Sequence, residues 1–184
     1  MDLDADAWKI DLYRTEATDE TVRLLSDIGP ITELDLSNTR VSDSGMVALS
    51  ALQSLEVLEL GNTLVTDCSV PAIGRLQRIE VLGLNGTSIS ETSLHHLNSL
   101  HCLWCLDLDG TSINGHSFSN LHWLDRVEWL FLAQTQLDDT GISQLYSATH
   151  LKQLWIQDTL VSPAGTTRLK AALPSCVVNL HPDD

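Results

Sequence analysis

Four sets of residues have the types and spacing for chemistry. Cys102-Leu103-Trp104-Cys105 is a C-x-x-C, the spacing of a redox pair or of half a zinc site. His95, His96, His101, His116 and His122 crowd the middle of the chain, and imidazole is a common metal ligand. The carboxylates Asp11, Asp35, Glu59 and Asp107, with Glu33 beside them, recur at regular intervals and could bind calcium or share protons. Trp129, Phe131 and Trp155 gather three large aromatic side chains in a chain with 5 Trp and 2 Phe.

What these sets can do depends on the elements that carry them, and one spacing organises those elements. The stretch Leu55 to Arg78 returns with a shift of 24 in either direction. Its first apolar position falls at Ala7, Ile31, Leu55, Ile79, Leu103, Val127 and Leu151. The fourth and sixth positions are Leu58 and Leu60 in that unit, and apolar in all the others. The ninth is Thr in every unit, from Thr15 to Thr159. Val178 and Leu180 begin a partial eighth unit. A fixed period of this size predicts a solenoid, in which each unit buries its apolar face only against its neighbours.

The L-x-x-L-x-L cores, such as Leu55-Glu56-Val57-Leu58-Glu59-Leu60, resemble the leucine-rich-repeat family. The 24-residue length with Thr at position nine is similar to a bacterial-style subclass, and also to ribonuclease-inhibitor-like arrays, although no F-box segment is present. The resemblance implies an α/β right-handed solenoid, with a curved parallel sheet on its concave face and short helices on its convex face. It also implies that the concave face binds.

Within a unit, positions three to five predict a short strand, and eight strands stacked ~4.8 Å apart make a sheet on the order of 35 Å wide. The Thr column predicts a hydroxyl ladder along the array. Ser, Thr, Asn and Asp at positions twelve and thirteen predict helix N-caps. Apolar residues at sixteen, nineteen and twenty-two, such as Leu94, Leu97 and Leu100, predict a helix packed on the core. The expected division is an acidic lead over 1–6, seven repeats over 7–174, and a capping strand and tail over 175–184. The three Asp of the lead are placed to blunt the first strand's edge.

This register sorts the chemistry. Cys105 falls on a strand rather than at a helix N-terminus, so a redox role is not expected. The histidines scatter around the convex side. The chain has no Gly-rich phosphate loop and no G-x-S-x-G. An open sheet face gives no pocket to separate two carboxyl pKa values. No enzyme activity, cofactor or metal is therefore expected. Asp11, Asp35, Glu59 and Asp107 share position five, and Glu33 sits at position three. Like charges on adjacent strands cost roughly 0.2–1 kcal/mol per pair, which a basic ligand would offset. Trp129, Phe131 and Trp155 fall together on the same face, where exposed aromatics anchor partners. Tyr13 and Arg14 could join the rim at the other end.

A formal net charge of −15 argues against nucleic acid and anionic membranes. The start MDLDADAW has no signal-peptide pattern, and no apolar run reaches membrane-spanning length. Four irregularly placed cysteines fit a reducing compartment, so a cytoplasmic setting is expected. The resulting expectation is a monomeric module that holds a basic protein or peptide. The alternative is a structural solenoid that self-assembles through its terminal strands or aromatic faces.

Overall fold

The computed structural model describes residues 7–25 and 27–180 of the 184-residue chain. The acidic lead and its expected effect on the first edge lie outside the described residues. Eight strands form one parallel sheet in sequential order: β1 (Trp8–Asp11), β2 (Ile31–Asp35), β3 (Val57–Glu59), β4 (Val81–Gly83), β5 (Cys105–Asp107), β6 (Trp129–Phe131), β7 (Gln153–Trp155) and β8 (Val177–Asn179). Pairing joins equal repeat positions: Glu59 lies beside Gly83, Gly83 beside Asp107, and Asp107 beside Phe131. Because the period never slips, each side chain type forms a row across the sheet.

Position four points into the core in every unit from Leu34 to Leu154, and the anchor residues Val41, Val65, Ile89, Ile113 and Leu137 join it there. The convex side holds helices α1 (Asp19–Leu25), α2 (Asp43–Leu49), α3 (Val70–Ile73), α4 (Asp139–Ser143) and α5 (Pro163–Ala172). The middle units depart from the expected helix. Leu94–Ser99, Phe118–Asn120 and His122–Asp125 are 3-10 turns. The physical reason is in the spacing: apolar residues three apart are eclipsed in a 3-10 helix and all face the core there. Leu94, Leu97 and Phe118 are accordingly buried.

The Thr column is structural but does not run along the array. Each hydroxyl donates to the carbonyl three residues earlier in its own unit, at 2.5–2.8 Å. Thr39 and Thr135 also accept from the N–H two residues on, at 3.5 and 3.4 Å. The hydroxyl thus staples the turn that leaves the strand. The residue just before it has a left-handed backbone in all seven units, including Asn38 (φ 58°), Asn62 (φ 54°) and Gln134 (φ 55°). Asn tolerates that region well, Gln less so.

A recurring bond between repeats comes from the acid at position thirteen. Position twelve caps its own helix as expected: Ser42 and Thr66 each accept an N–H from two residues on, at 3.3 Å. Position thirteen reaches instead to the next repeat. Asp19 takes the N–H and hydroxyl of Ser42, both at 2.7 Å, and Asp139 does the same with Ser162 at 2.8 and 2.6 Å. Position fifteen makes room for this clasp as Gly45 or Gly165, or joins it as Ser69 or Ser93. At Gly115 the unit has no carboxylate to offer. Gly141 packs there directly on the backbone of Asn114 and Gly115, where a Cβ would collide.

Asp67 makes the fullest clasp, accepting from Ser90 N (2.7 Å), Ser90 Oγ (2.6 Å), Ser93 Oγ (2.6 Å) and Thr92 Oγ1 (3.0 Å). Partial burial works to raise its pKa, but the Ser90 and Ser93 donors outweigh that and hold it below its ordinary value. Asp67→Ala leaves those donors without their acceptor and is expected to cost about 3 kcal/mol in urea unfolding. A loss below about 0.5 kcal/mol would show that water replaces the carboxylate freely.

Candidate binding surface on the concave face

Alternation along a strand puts positions three and five on the face opposite the core. Every candidate residue sits there. The row at position five reads Asp11, Asp35, Glu59, Gly83, Asp107, Phe131, Trp155 and Asn179 across the sheet. The row at position three begins with Lys9 and Glu33, which pair at 2.5 Å, so Glu33 already has a cation.

The acids of position five are not equivalent. Asp11, Asp35 and Asp107 each accept the backbone N–H two residues on, from Tyr13, Ser37 and Asp109, at 2.9, 2.8 and 2.9 Å. They cap the turn that ends the strand, in the manner of an Asx turn. Part of the acidic row is therefore accounted for by the scaffold. Glu59 makes no such turn. Its carboxyl lies over Gly83, where a Cβ would collide with it, and this carries it toward Asp107 on the far side.

The result differs from a uniformly solvated face. Burial, then Asp107 and Asp35, push the Glu59 pKa up to about 7. Asp109, at position seven, is raised to about 7 by burial and by Asp107, although the Ala133 N–H at 2.6 Å opposes this. Burial also raises Asp107. The expectation that the open sheet would leave its carboxyl pKa values unseparated is corrected here: half-burial between side chains of adjacent strands is enough to move them. Cys105 is buried beside this group on the same face, and burial, Glu59 and Asp107 push its thiol up to about 11, so it is no nucleophile near neutrality. All four cysteines are free.

A pH dependence follows with a definite sign. A carboxyl whose folded pKa is raised holds more protons in the folded state, so its stabilisation is lost as pH rises through that value. For Glu59 the window runs from about 4.5 to about 7. Asp43, Asp67, Asp138 and Asp139 are lowered, and their contributions disappear on acidification below their ordinary 3.8. The melting temperature should rise from pH 8 to about pH 5 and fall again below about pH 4. Glu59→Gln should flatten part of the first limb and leave the part carried by Asp109. A curve flat between pH 5 and 8 in the wild type would contradict the placement of Glu59.

The aromatic residues are brought together as the register requires. Phe131 and Trp155 stack at 3.9 Å with planes 7° apart, and Trp129 meets Trp155 edge-on at 6.2 Å. Trp129 keeps 39% of its surface exposed. Trp104 extends the cluster, edge-on to Trp129 at 5.4 Å. Trp104 stands at position two and Asp109 at position seven, the flanks of the strand face. Only the repeat register could have singled them out. Tyr13 and Arg14 lie at the opposite end, with the guanidinium 5.0 Å from the ring centre. On the convex side the His95 and His96 rings lie 3.9 Å apart with planes tilted by 38°, and His116 pairs with Asp138 at 3.0 Å. Among the described residues no group of three or more His, Cys, Asp or Glu is arranged to hold a metal, and no helix is long and apolar enough to cross a membrane.

No family model matches the sequence, and no curated protein is significantly similar to it. Solved structures do share its fold. An internalin of Listeria monocytogenes matches at TM-score 0.67 and 17% identity over 94% of this chain and 53% of its own. A leucine-rich-repeat protein of Leptospira interrogans matches at TM-score 0.72 and 20% identity, over 93% of this chain and 42% of its own. A second Listeria internalin matches at TM-score 0.66 and 23% identity, over 92% and 78%. The chain thus spans about half the length of the first two.

Proposed function

Starting from a chain folded as a leucine-rich-repeat solenoid, we propose that it is a non-enzymatic module that binds a basic protein or peptide on its concave face. The observation that carries this reading is the juxtaposition on one face of a half-exposed aromatic cluster with half-buried carboxyls. Trp129, Phe131 and Trp155 supply apolar anchorage, and Asp107 stands directly beside Phe131. Glu59 and Asp35 continue the acidic side, and Asp11 and Glu33 form its outer end. A cationic side chain with an apolar stem satisfies both halves at once, and desolvated charges of this kind are costly until paired. The fold supports such a role by offering a broad rigid surface. The reading places the monomeric chain in the cytoplasm, and four free cysteines support that setting.

Affinity capture with the purified chain, run beside Glu59→Lys and Asp107→Lys, tests the charge half. Each reversal is expected to weaken a captured partner about tenfold or more, and more strongly at low salt. Partners retained equally by both variants would overturn the basic-ligand reading. In light scattering, mass growth with concentration would favour the alternative of self-assembly instead.

A further inference from the structure

The rows of the concave face restrict the shape of the partner as well as its charge. Position three carries Val57, Val81, Cys105 and Trp129 on four adjacent strands, in register. This is an apolar row across the strands, half-exposed at Val57 and Val81, buried at Cys105 and exposed at Trp129. Carboxylates border it on both sides. Glu59 and Asp107 lie along position five, and at position two Glu80 stands exposed between Glu56, which pairs with Arg78 at 2.5 Å, and Trp104. The contact of Trp104 with Trp129 confirms that positions two and three share one surface. The strip ends at the Lys9–Glu33 ion pair on one side and against Trp155 on the other.

We infer that this strip takes an amphipathic helix laid across the strands, with one apolar stripe flanked on both sides by Lys or Arg. The inference rests on the concave-face reading above and gives its ligand a conformation. Its basis is commensurability. Strands repeat every ~4.8 Å, and a helix presents its stripe every ~5.4 Å. Across the three steps from Val57 to Trp129 the mismatch accumulates to only about 2 Å, so one apolar side chain can meet each strand. An extended chain repeats its same-face side chains every ~6.7 Å, and slips by about 6 Å over the same span. The double acidic border fits the helix for a second reason. Side chains about 100° to either side of a helical stripe reach both borders together. An extended strand turns its alternate side chains away from the surface.

The test uses a synthetic peptide of about 16 Leu, Lys and Ala residues, with Leu at i, i+4, i+7 and i+11 and Lys on both flanks. Two controls keep its composition: one shuffles Leu and Lys so that no face forms, and one places two prolines in the middle. Binding is read by tryptophan fluorescence, and helicity by circular dichroism. The helical peptide should bind and gain helicity, with the shuffled and proline peptides weaker by about tenfold or more. Val81→Lys, which places a charge mid-strip on a half-exposed side chain, should weaken it similarly while the melting temperature is kept. No binding by the helical peptide, or proline-peptide binding within about twofold of it, overturns the helix. If the proline peptide binds equally and is lost with Trp129→Ala/Trp155→Ala, the concave-face reading stands without the helix. Helical-peptide binding untouched by Val81→Lys and by the tryptophan variants overturns both.

Discussion

Trp129→Ala with Trp155→Ala is expected to weaken a captured partner by about 4 kcal/mol, roughly a thousandfold in Kd. Buried aromatic anchors at interface centres cost about 2 kcal/mol or more each when truncated. These two meet at 6.2 Å, so their effects share a surface and need not add strictly. The fold should tolerate the change. Neither ring fills the core, which is built by the neighbouring Leu130 and Leu154. The main internal loss is the Phe131–Trp155 stack, worth about 0.5–1.5 kcal/mol. A titration against the captured partner, with melting curves of both proteins, separates binding from stability. Unchanged affinity in the double variant would sink the concave-face reading.

Trp123→Ala carries the largest expected effect on stability, about 3–5 kcal/mol. Trp123 is fully buried and meets Phe118 edge-on at 6.2 Å. Its indole N–H donates to the Leu94 carbonyl at 3.2 Å, so it ties two consecutive units together across their 3-10 turns. Alanine opens a cavity and leaves that carbonyl without its donor. Trp123→Phe keeps most of the packing and loses only the bond, so it should cost about 1–3 kcal/mol. Denaturant unfolding of both variants measures the two contributions. Equal costs would mean that the hydrogen bond, not the volume, dominates.

The scaffold was legible because its signal is repeated. Leu58 and Leu82 recur in fixed register, and a row of such residues admits only one pleat and one core face. The same register alone puts Trp129, Phe131 and Trp155 on the open face, and there the rings do meet. What escaped was side chains reaching between units. Asp67 reads as a helix cap, because the capping residue and the clasp are adjacent in the chain and chemically alike. Thr63 reads as a ladder rung, because repetition by itself does not say whether a hydroxyl bonds forward or within its own turn. Gly83 reads as a blank in an acidic row. It is the gap into which Glu59 leans, and that lean carries its carboxyl toward Asp107, whose charge adds to burial in raising the Glu59 pKa to about 7. The 3-10 turns were hidden for a simpler reason: a spacing of three serves both helix types in so short a segment.

The junction at Gly115 has a mechanical consequence. Elsewhere a carboxylate fastens one coil to the next, from Asp19 to Ser42 through Asp139 to Ser162. Between the unit beginning at Leu103 and the one beginning at Val127 the position-thirteen clasp is replaced on the convex side by backbone contact and by the exposed His116–Asp138 pair, while on the other side of the coil Asp109 still takes the Ala133 N–H at 2.6 Å. In a linear array, cooperativity is only as long as its weakest coupling allows. The chain therefore has a seam on its convex side, where the clasp is missing. Pulled from its ends, or sampled by amide exchange, it should part there first, leaving a longer N-terminal spool and a shorter one that carries Trp129 and Trp155.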